Sequence, residues 1–288
     1  MVWKKLIKNK ASLFGLILLI GFILMAIFAP YLAPPKWENE PYRIPRYGWG
    51  PTPEPPSKEH PMGLTQGKYD IWYGVVWGTR TAFKVGLIVV GASCLIGVTI
   101  GSISGYYGGK FDEIIMRIVD VFMSFPFLVA AIVFTTILGK GLENVMIAMI
   151  AFRWMGYARL IRGNILGVKE EEYVSAAKAS GVKNWKIILR HVLPNSIFPV
   201  LIQASMSLGS VVITASSLSF LGVGAPEGYA DWGQMVSFSR NWLLGIPGDP
   251  LHYWYTVFYP GMAMVLFVLA WNLVGDAFRD IMDPKIQA

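Results

Sequence analysis

"EYVSAAKASGVKNWKIILRHVLPN", residues 172–195, interrupts a chain otherwise made of long apolar runs. It is too polar to enter lipid and too rich in helix formers to serve as a linker. Residues 169–179, "KEEEYVSAAKA", favour a helix with acidic side chains in the first turn, where the helix dipole attracts them. Ser180-Gly181 ends it, because glycine tolerates the left-handed stop. Asn184 is placed to cap a second helix, "WKIILRHVL", which Pro194 terminates before the next apolar run. The expectation is two short helices joined by a turn at one membrane face. Ala176, Ala177 and Ala179 leave the first helix thin, so a partner's groove can close around its backbone. An ordinary amphipathic helix on the bilayer surface is the competing reading, and these residues alone do not separate the two.

Outward from this stretch the chain is greasy. Of its 288 residues 54% are hydrophobic and 15% charged, with a mean hydropathy of +0.48; a soluble domain is about 45–50% apolar. This is an integral membrane protein. Windows of about 20 mostly apolar residues fall at 12–33, 83–104, 118–139, 143–160, 196–221 and 257–277, giving six spans. Arg153 interrupts the fourth, so five is the alternative count. The start has the layout of a secretory signal, but its apolar run of about 20 residues exceeds the 7–15 of a signal core, and it reads as a retained first span. The only cysteine, Cys94, lies inside the second window, so the chain has no internal disulfide.

Charge sets the orientation. Residues 1–11, 105–117, 159–190 and 277–288 hold 15 Lys and Arg in 68 residues, against 8 in 87 for 34–82, 139–142 and 223–256. By the positive-inside rule both termini and the quoted stretch are cytoplasmic. This topology accounts for the net charge of +7 without any nucleic-acid partner.

Residues 1–33 then form the N-terminus and first span, and 34–82 an outer arm with a surface helix. Residues 83–288 form a five-helix core that contains the cytoplasmic loop 166–195. The arm has nine prolines in 34–61 and is expected to be extended and irregular, with Trp37, Tyr42, Tyr47 and Trp49 at the membrane interface. "YDIWYGVVWGTRTAF" suits a helix lying on the outer surface. Gly97, Gly101 and Gly105 share one face of the second span and allow a neighbouring backbone to approach closely. The second outer loop has an amphipathic middle, Trp232 to Leu244, expected to be re-entrant or interfacial.

Catalytic signatures are missing from the sequence. His60, His191 and His252 are scattered, and none has metal-ligand spacing. "GLTQGKY" at 63–69 has three residues between its glycines where a phosphate loop has four, and Tyr69 where Ser or Thr must reach magnesium. The chain therefore has no catalytic residues, metal or cofactor of its own. Ionisable groups within the spans are few: Arg153 lies in the fourth, where snorkelling inward is favoured over lining a cavity. Asp120, Lys84, Glu143 and Asp276 lie near span ends, which argues against a proton-coupled secondary transporter, the alternative class. The mixed-charge clusters "DEIIMR" and "GDAFRDIMDPK" read as pairs within one helix.

The spacing Ala176-Ala177, Gly181, Leu193-Pro194 resembles the "EAA" loop of ABC-importer permeases, with Ser175 where the general motif has Glu and His191 where it has an aliphatic residue. "EYVSAAKASG" and "RHVLPN" are similar to the dipeptide/oligopeptide branch. So are "HPMG" at 60–63, "GYYGGKFDEIIMRIVD" at 105–120, "YARLIRG" at 157–163, "SLSFLGVG" at 217–224, "DWGQM" at 231–235 and "GDAFRDIMDP" at 275–284. "GLTQGKYD" at 63–70 departs from that branch's pattern. The resemblance implies an all-α membrane protein, a six-helix type I ABC-importer permease with a cytoplasmic coupling helix. It implies a second homologous permease subunit, two cytoplasmic ATPase subunits that bind ATP and Mg, and an extracytoplasmic solute-binding protein. Tyr173, Ala176, Ala177 and Gly181 would touch an ATPase, Arg190 and His191 would fix the second helix, and Leu193-Pro194 would close the motif. Peptides are the expected cargo, with oligosaccharides and nickel complexes as alternatives. Ser124, Thr135, Gln203, Ser207 and Thr214 are the candidate path-lining residues, although helix-to-helix hydrogen bonding explains their polarity equally well.

Overall fold

A computed structural model of the protein describes residues 9–282; the basic residues 1–8 and the end of the last charged cluster, 283–288, lie outside it. Helix α1 (Lys10–Leu32) begins where the Asn9 side chain accepts the Ala11 N–H. Helix α2 (Ile71–Tyr107) is capped the same way, Asp70 accepting from the Tyr73 N–H at 2.9 Å. Then come α3 (Gly109–Met123), α4 (Phe127–Leu138) and α5 (Leu142–Val168). The loop 166–195 contains α6 (Glu172–Ala179) and α7 (Asn184–Ile187), a π turn over Ile188–Val192, and α8 (Leu193–Ser196). Helix α9 (Phe198–Phe220), the short α10 (Trp232–Phe238) and α11 (Tyr255–Met282) complete the chain. Among the described residues no β-strand forms, only isolated bridges.

Length and apolar composition qualify α1, α2, α9 and α11 as spans, and α3 with α4 as a fifth if a bent pair is counted as one. Each of the six expected windows falls on a helix, with two differences. The third is broken by a 90° bend at residues 124–126, because Pro126 offers no N–H and holds Phe125 away from helical geometry. The fourth, α5, is about 40 Å long but carries Glu143, Arg153, Arg159 and Arg162, too many charges to qualify by composition.

The expected surface helix before the second span is the start of α2 itself, a single rod of 37 residues, about 55 Å long. Nothing between Ile71 and Tyr107 breaks it, since the stretch lacks proline. Its outer turns are buried against the arm: the Trp77 indole donates to the Ala33 carbonyl at 2.9 Å and the Tyr73 hydroxyl to that of Pro41 at 2.6 Å. The arm is irregular, as expected, but closely attached. Ile44 N–H donates to Gly228 O and Ala230 N–H to Tyr42 O. Tyr42 stacks on Tyr229, whereas Trp49 stands exposed under Arg46.

Helix α10 is packed into the bundle. Trp232 is wholly buried and donates to Val75 O, and a Cβ at Gly233 would collide with the Ser216 carbonyl. Leu243 and Leu244, just beyond it, are exposed. Gly97 and Gly101 form a close helix crossing: a Cβ on either would run into a carbonyl of α5, that of Trp154 or Ala158. The two backbones touch there as the glycine spacing predicts.

Candidate functional site

The loop 166–195 folds as two short helices and a turn. Gly181 has φ +72° and closes α6 with two crossed bonds, Val182 N–H to Ala177 O and Gly181 N–H to Lys178 O. A Cβ at this position would meet nothing within 4 Å, so the backbone angle and not crowding calls for glycine.

Two expectations for the second helix are corrected. Asn184 does not cap it: Lys183 is the cap, and the Asn184 side chain accepts the Tyr106 hydroxyl at 3.1 Å. Nor does Pro194 terminate it, since helix continues to Ser196. The missing proline N–H is absorbed by the π turn, in which Leu193 N–H reaches Ile188 O. The Asn195 and Ser196 side chains donate back to the carbonyls of His191 and Val192.

The loop is seated by an apolar underside. Val174, Ile187 and Val192 are wholly buried against Tyr106, Tyr157, Ile161, Ile165 and Val200. Lys178 lies 5.4 Å over the Tyr106 ring, and Lys169 donates to Gly105 O. The opposite side is uncovered: Tyr173, Ala176, Trp185 and Leu189 point outward, with Trp185 and Leu189 each 55% exposed. Ala177 is half-buried on the bundle side, so it shares the seat more than the outer face. Among the described residues Arg190 and His191 make no side-chain hydrogen bond or ion pair; apolar contacts of Ile187 and Val192 fix this helix instead. Leu193 is half-buried and Pro194 exposed.

Only two of the five candidate path residues come together. Gln203 and Ser207 line a cavity of about 320 Å³ with Arg153, Gly156, Tyr157 and Leu160, and the Gln203 amide faces the Ser207 hydroxyl at 3.4 Å. Ser124 bonds Val121 O at the α3–α4 break, Thr135 is buried and bonded to its own helix, and Thr214 caps Ser210 O. Arg153 lines this cavity too. Its guanidinium stays in the cavity, 3.4 Å from the Ser210 hydroxyl, and its Nε is buried without a partner.

Asp112 of "DEIIMR", and Asp120 beyond it, pair between helices instead of along one. Asp112 on α3 takes Arg162 of α5 at 2.5 Å together with the Ser104 hydroxyl, and Asp120 pairs with Arg159. Sequence reasoning also missed Tyr106 and Trp185. The tyrosine pair ahead of two glycines at the end of α2 was the available signal for Tyr106; for Trp185 it was a large aromatic in an otherwise polar turn.

Comparison with known proteins gives this geometry a family. Residues 97–288 match the family described as the binding-protein-dependent transport system inner membrane component, and residues 1–46 match the N-terminal TM domain of oligopeptide transport permease C. The dipeptide transport system permease protein DppC of Alkalihalophilus pseudofirmus is 38% identical over 99% of this chain and 90% of its own length. The glutathione transport system permease protein GsiD of Pectobacterium atrosepticum is 35% identical over 99% and 91%. A structure of the MetNI methionine ABC transporter in inward-facing conformations has a chain with TM-score 0.56 and 17% identity, covering 73% of this chain and 97% of that one, a likeness of fold. The chain belongs to the family of binding-protein-dependent transport system inner membrane components, and is a multi-pass membrane permease subunit.

Proposed function

We propose that this permease passes peptides inward as the membrane half of an ATP-driven importer, with α6 as its coupling helix. One observation carries the reading: the loop 172–195 is fastened to the bundle by Val174, Ile187 and Val192 yet leaves Tyr173, Ala176 and Trp185 uncovered on the far side. A face of that kind needs a partner. A cytoplasmic ATPase cleft supplies one, ATP and Mg being held by two ATPase subunits and not by this chain. A second homologous permease subunit and an extracytoplasmic binding protein complete the assembly. The charge distribution supports a cytoplasmic position for both termini. Peptide cargo is supported by relatives whose names specify dipeptides and glutathione. Oligosaccharides and nickel complexes have no such support here, and family membership does not favour the proton-coupled reading.

In this mechanism the loop is a lever. Closure of the ATPases moves α6, and Lys178, Tyr106 and Asn184 transmit the movement to the inner end of α2. The bundle then alternates between two packings according to which one the ATPases and binding protein favour. Ala176→Trp places a bulky group on the uncovered face. Insertion and folding should be retained while uptake in proteoliposomes falls at least about tenfold and ATP hydrolysis becomes uncoupled from it. Normal coupled uptake in this variant rejects the docking assignment, and vanadate-insensitive uptake rejects the ATP-driven one.

A further inference from the structure

Arg153 occupies an unusual electrostatic position. Three other cations near the spans each have a carboxylate: Lys84 pairs with Glu143 at 3.2 Å, Arg159 with Asp120, and Arg162 with Asp112. Among the described residues no carboxylate lies within 4 Å of Arg153. It sits in the middle of α5, its Nε is buried and unpartnered, and its one hydrogen bond is the long contact to Ser210. A charge at that depth is costly unless something pairs with it, and such residues mark substrate pathways.

The surroundings are built to receive an anion. The cavity beside Arg153 is about 320 Å³, at the small end of the about 300–1,000 Å³ found for ligand sites. Gly156, one turn along α5, leaves the space beside it open: a Cβ at that position would meet nothing within 4 Å. Gln203 and Ser207 on α9 line the same cavity and supply an amide and a hydroxyl, but no opposing charge. A guanidinium fork backed by neutral donors matches a carboxylate, whose two oxygens it takes side by side.

We propose that Arg153 is the receptor for the C-terminal carboxylate of a peptide in transit, in a site completed by Gln203 and Ser207. This rests on the peptide-import reading above. The peptide enters the cavity between α5 and α9, its carboxylate neutralises the guanidinium, and its backbone finds the amide and hydroxyl. Peptides with a blocked C-terminus lose this anchor and cross more slowly.

The test uses the complete importer with its binding protein in proteoliposomes, with trialanine and trialanine amide as probes. Wild type should take up trialanine at least about tenfold faster than its amide, the ratio one charge-assisted hydrogen-bonded pair supports. Arg153→Gln should bring the ratio close to one by slowing trialanine alone, and Arg153→Lys, with charge but no fork, should fall between. Gly156→Leu fills the cavity without touching the arginine and should slow trialanine by a similar factor, which covers the case in which Arg153→Gln fails to fold. A wild-type ratio near one, a ratio unmoved by Arg153→Gln, or full trialanine uptake by Gly156→Leu overturns the assignment. If wild type transports neither probe, the peptide-import reading falls and takes this one with it; if it transports trialanine regardless of residue 153, only the present assignment falls.

Discussion

At the outer-arm end of the bundle Trp77 and Trp232 are buried and both indoles donate to backbone carbonyls; at the end that carries the loop 172–195 Trp185 stands half in the open with Tyr173 and Leu189 beside it. The outer arm reaches the second outer loop through Ile44, Ala230 and the Tyr42–Tyr229 stack, so that end closes on itself. The loop 172–195 is held on one side only. The difference separates a part built for fixed geometry from a part built to be gripped, because buried aromatics with satisfied donors resist movement, whereas an uncovered aromatic face is completed by something else. It also predicts where stability and transport come apart.

The largest expected effect lies at the outer end. Trp232→Ala removes a buried ring that packs on Phe22 and Phe267 and donates to Val75 O. It should cost about 3–5 kcal/mol, seen as a large drop in the unfolding midpoint of the solubilised protein. A midpoint within a degree of wild type would mean that this end is not the fixed one.

Next in size is a pH effect at the same end. Asp231 caps α10 from a buried site, and desolvation pushes its carboxyl up to about 6, although hydrogen bonds from the Gln234 and Gly233 N–H groups and the Ser219 hydroxyl pull it down. The unfolded chain titrates it near about 3.9. Between these values the native state binds a proton that the unfolded state has released, so stability from this group is greatest near pH 4, falls as pH rises, and levels off above about 6. The span is about 3 kcal/mol. Asp231→Asn keeps an oxygen for the Gln234 N–H and removes the titration. Its stability relative to wild type should therefore be greatest at pH 7 and shrink as pH falls through 6 toward 4; a difference independent of pH rejects the assignment.

Gly181→Val tests the other end. The turn has open space, so the cost is the left-handed backbone angle alone, about 1–2 kcal/mol, and β-branching puts it at the upper end of that range. Global unfolding should shift little, because the loop is one-sided, while uptake falls about tenfold or more as α6 loses its angle. If stability collapses and coupling survives, the contrast between the two ends is inverted.

Much of this was legible in the sequence, and the unread parts share a cause. Apolar windows located every long helix, Gly181 its turn, and Gly97 and Gly101 their crossing, because each depends on local period or backbone freedom. Chain pairing was not legible: Asp112 reads as a partner for its own helix, yet packing brings Arg162 from α5. Pro194 reads as a stop because the π turn that accommodates it leaves no mark in the composition. Arg153 reads as a snorkelling residue since nothing local announces the gap beside Gly156. At the candidate site, spacing found α6 and its turn, whereas the division between seat and uncovered face came only from the fold; it moved Ala177 toward the seat and brought in Trp185.

The smallest effect is the most discriminating, since it concerns the link between loop and bundle. Tyr106 ends the glycine-spaced helix α2, and its hydroxyl donates to Asn184 while Lys178 covers its ring. Tyr106→Phe deletes one partly exposed hydrogen bond and keeps the ring, so it should cost about 0.5–1.5 kcal/mol and leave the unfolding midpoint nearly unchanged. If the loop is a lever, losing this tie should still lower uptake per ATP hydrolysed, by about two- to threefold, because movement of α6 reaches α2 through fewer contacts. Amide exchange in residues 172–187 should quicken while exchange around Trp77 and Trp232 stays as it was. Quickening at both ends together would mean that the bundle moves as one body, and that the loop is no softer than the end it was contrasted with.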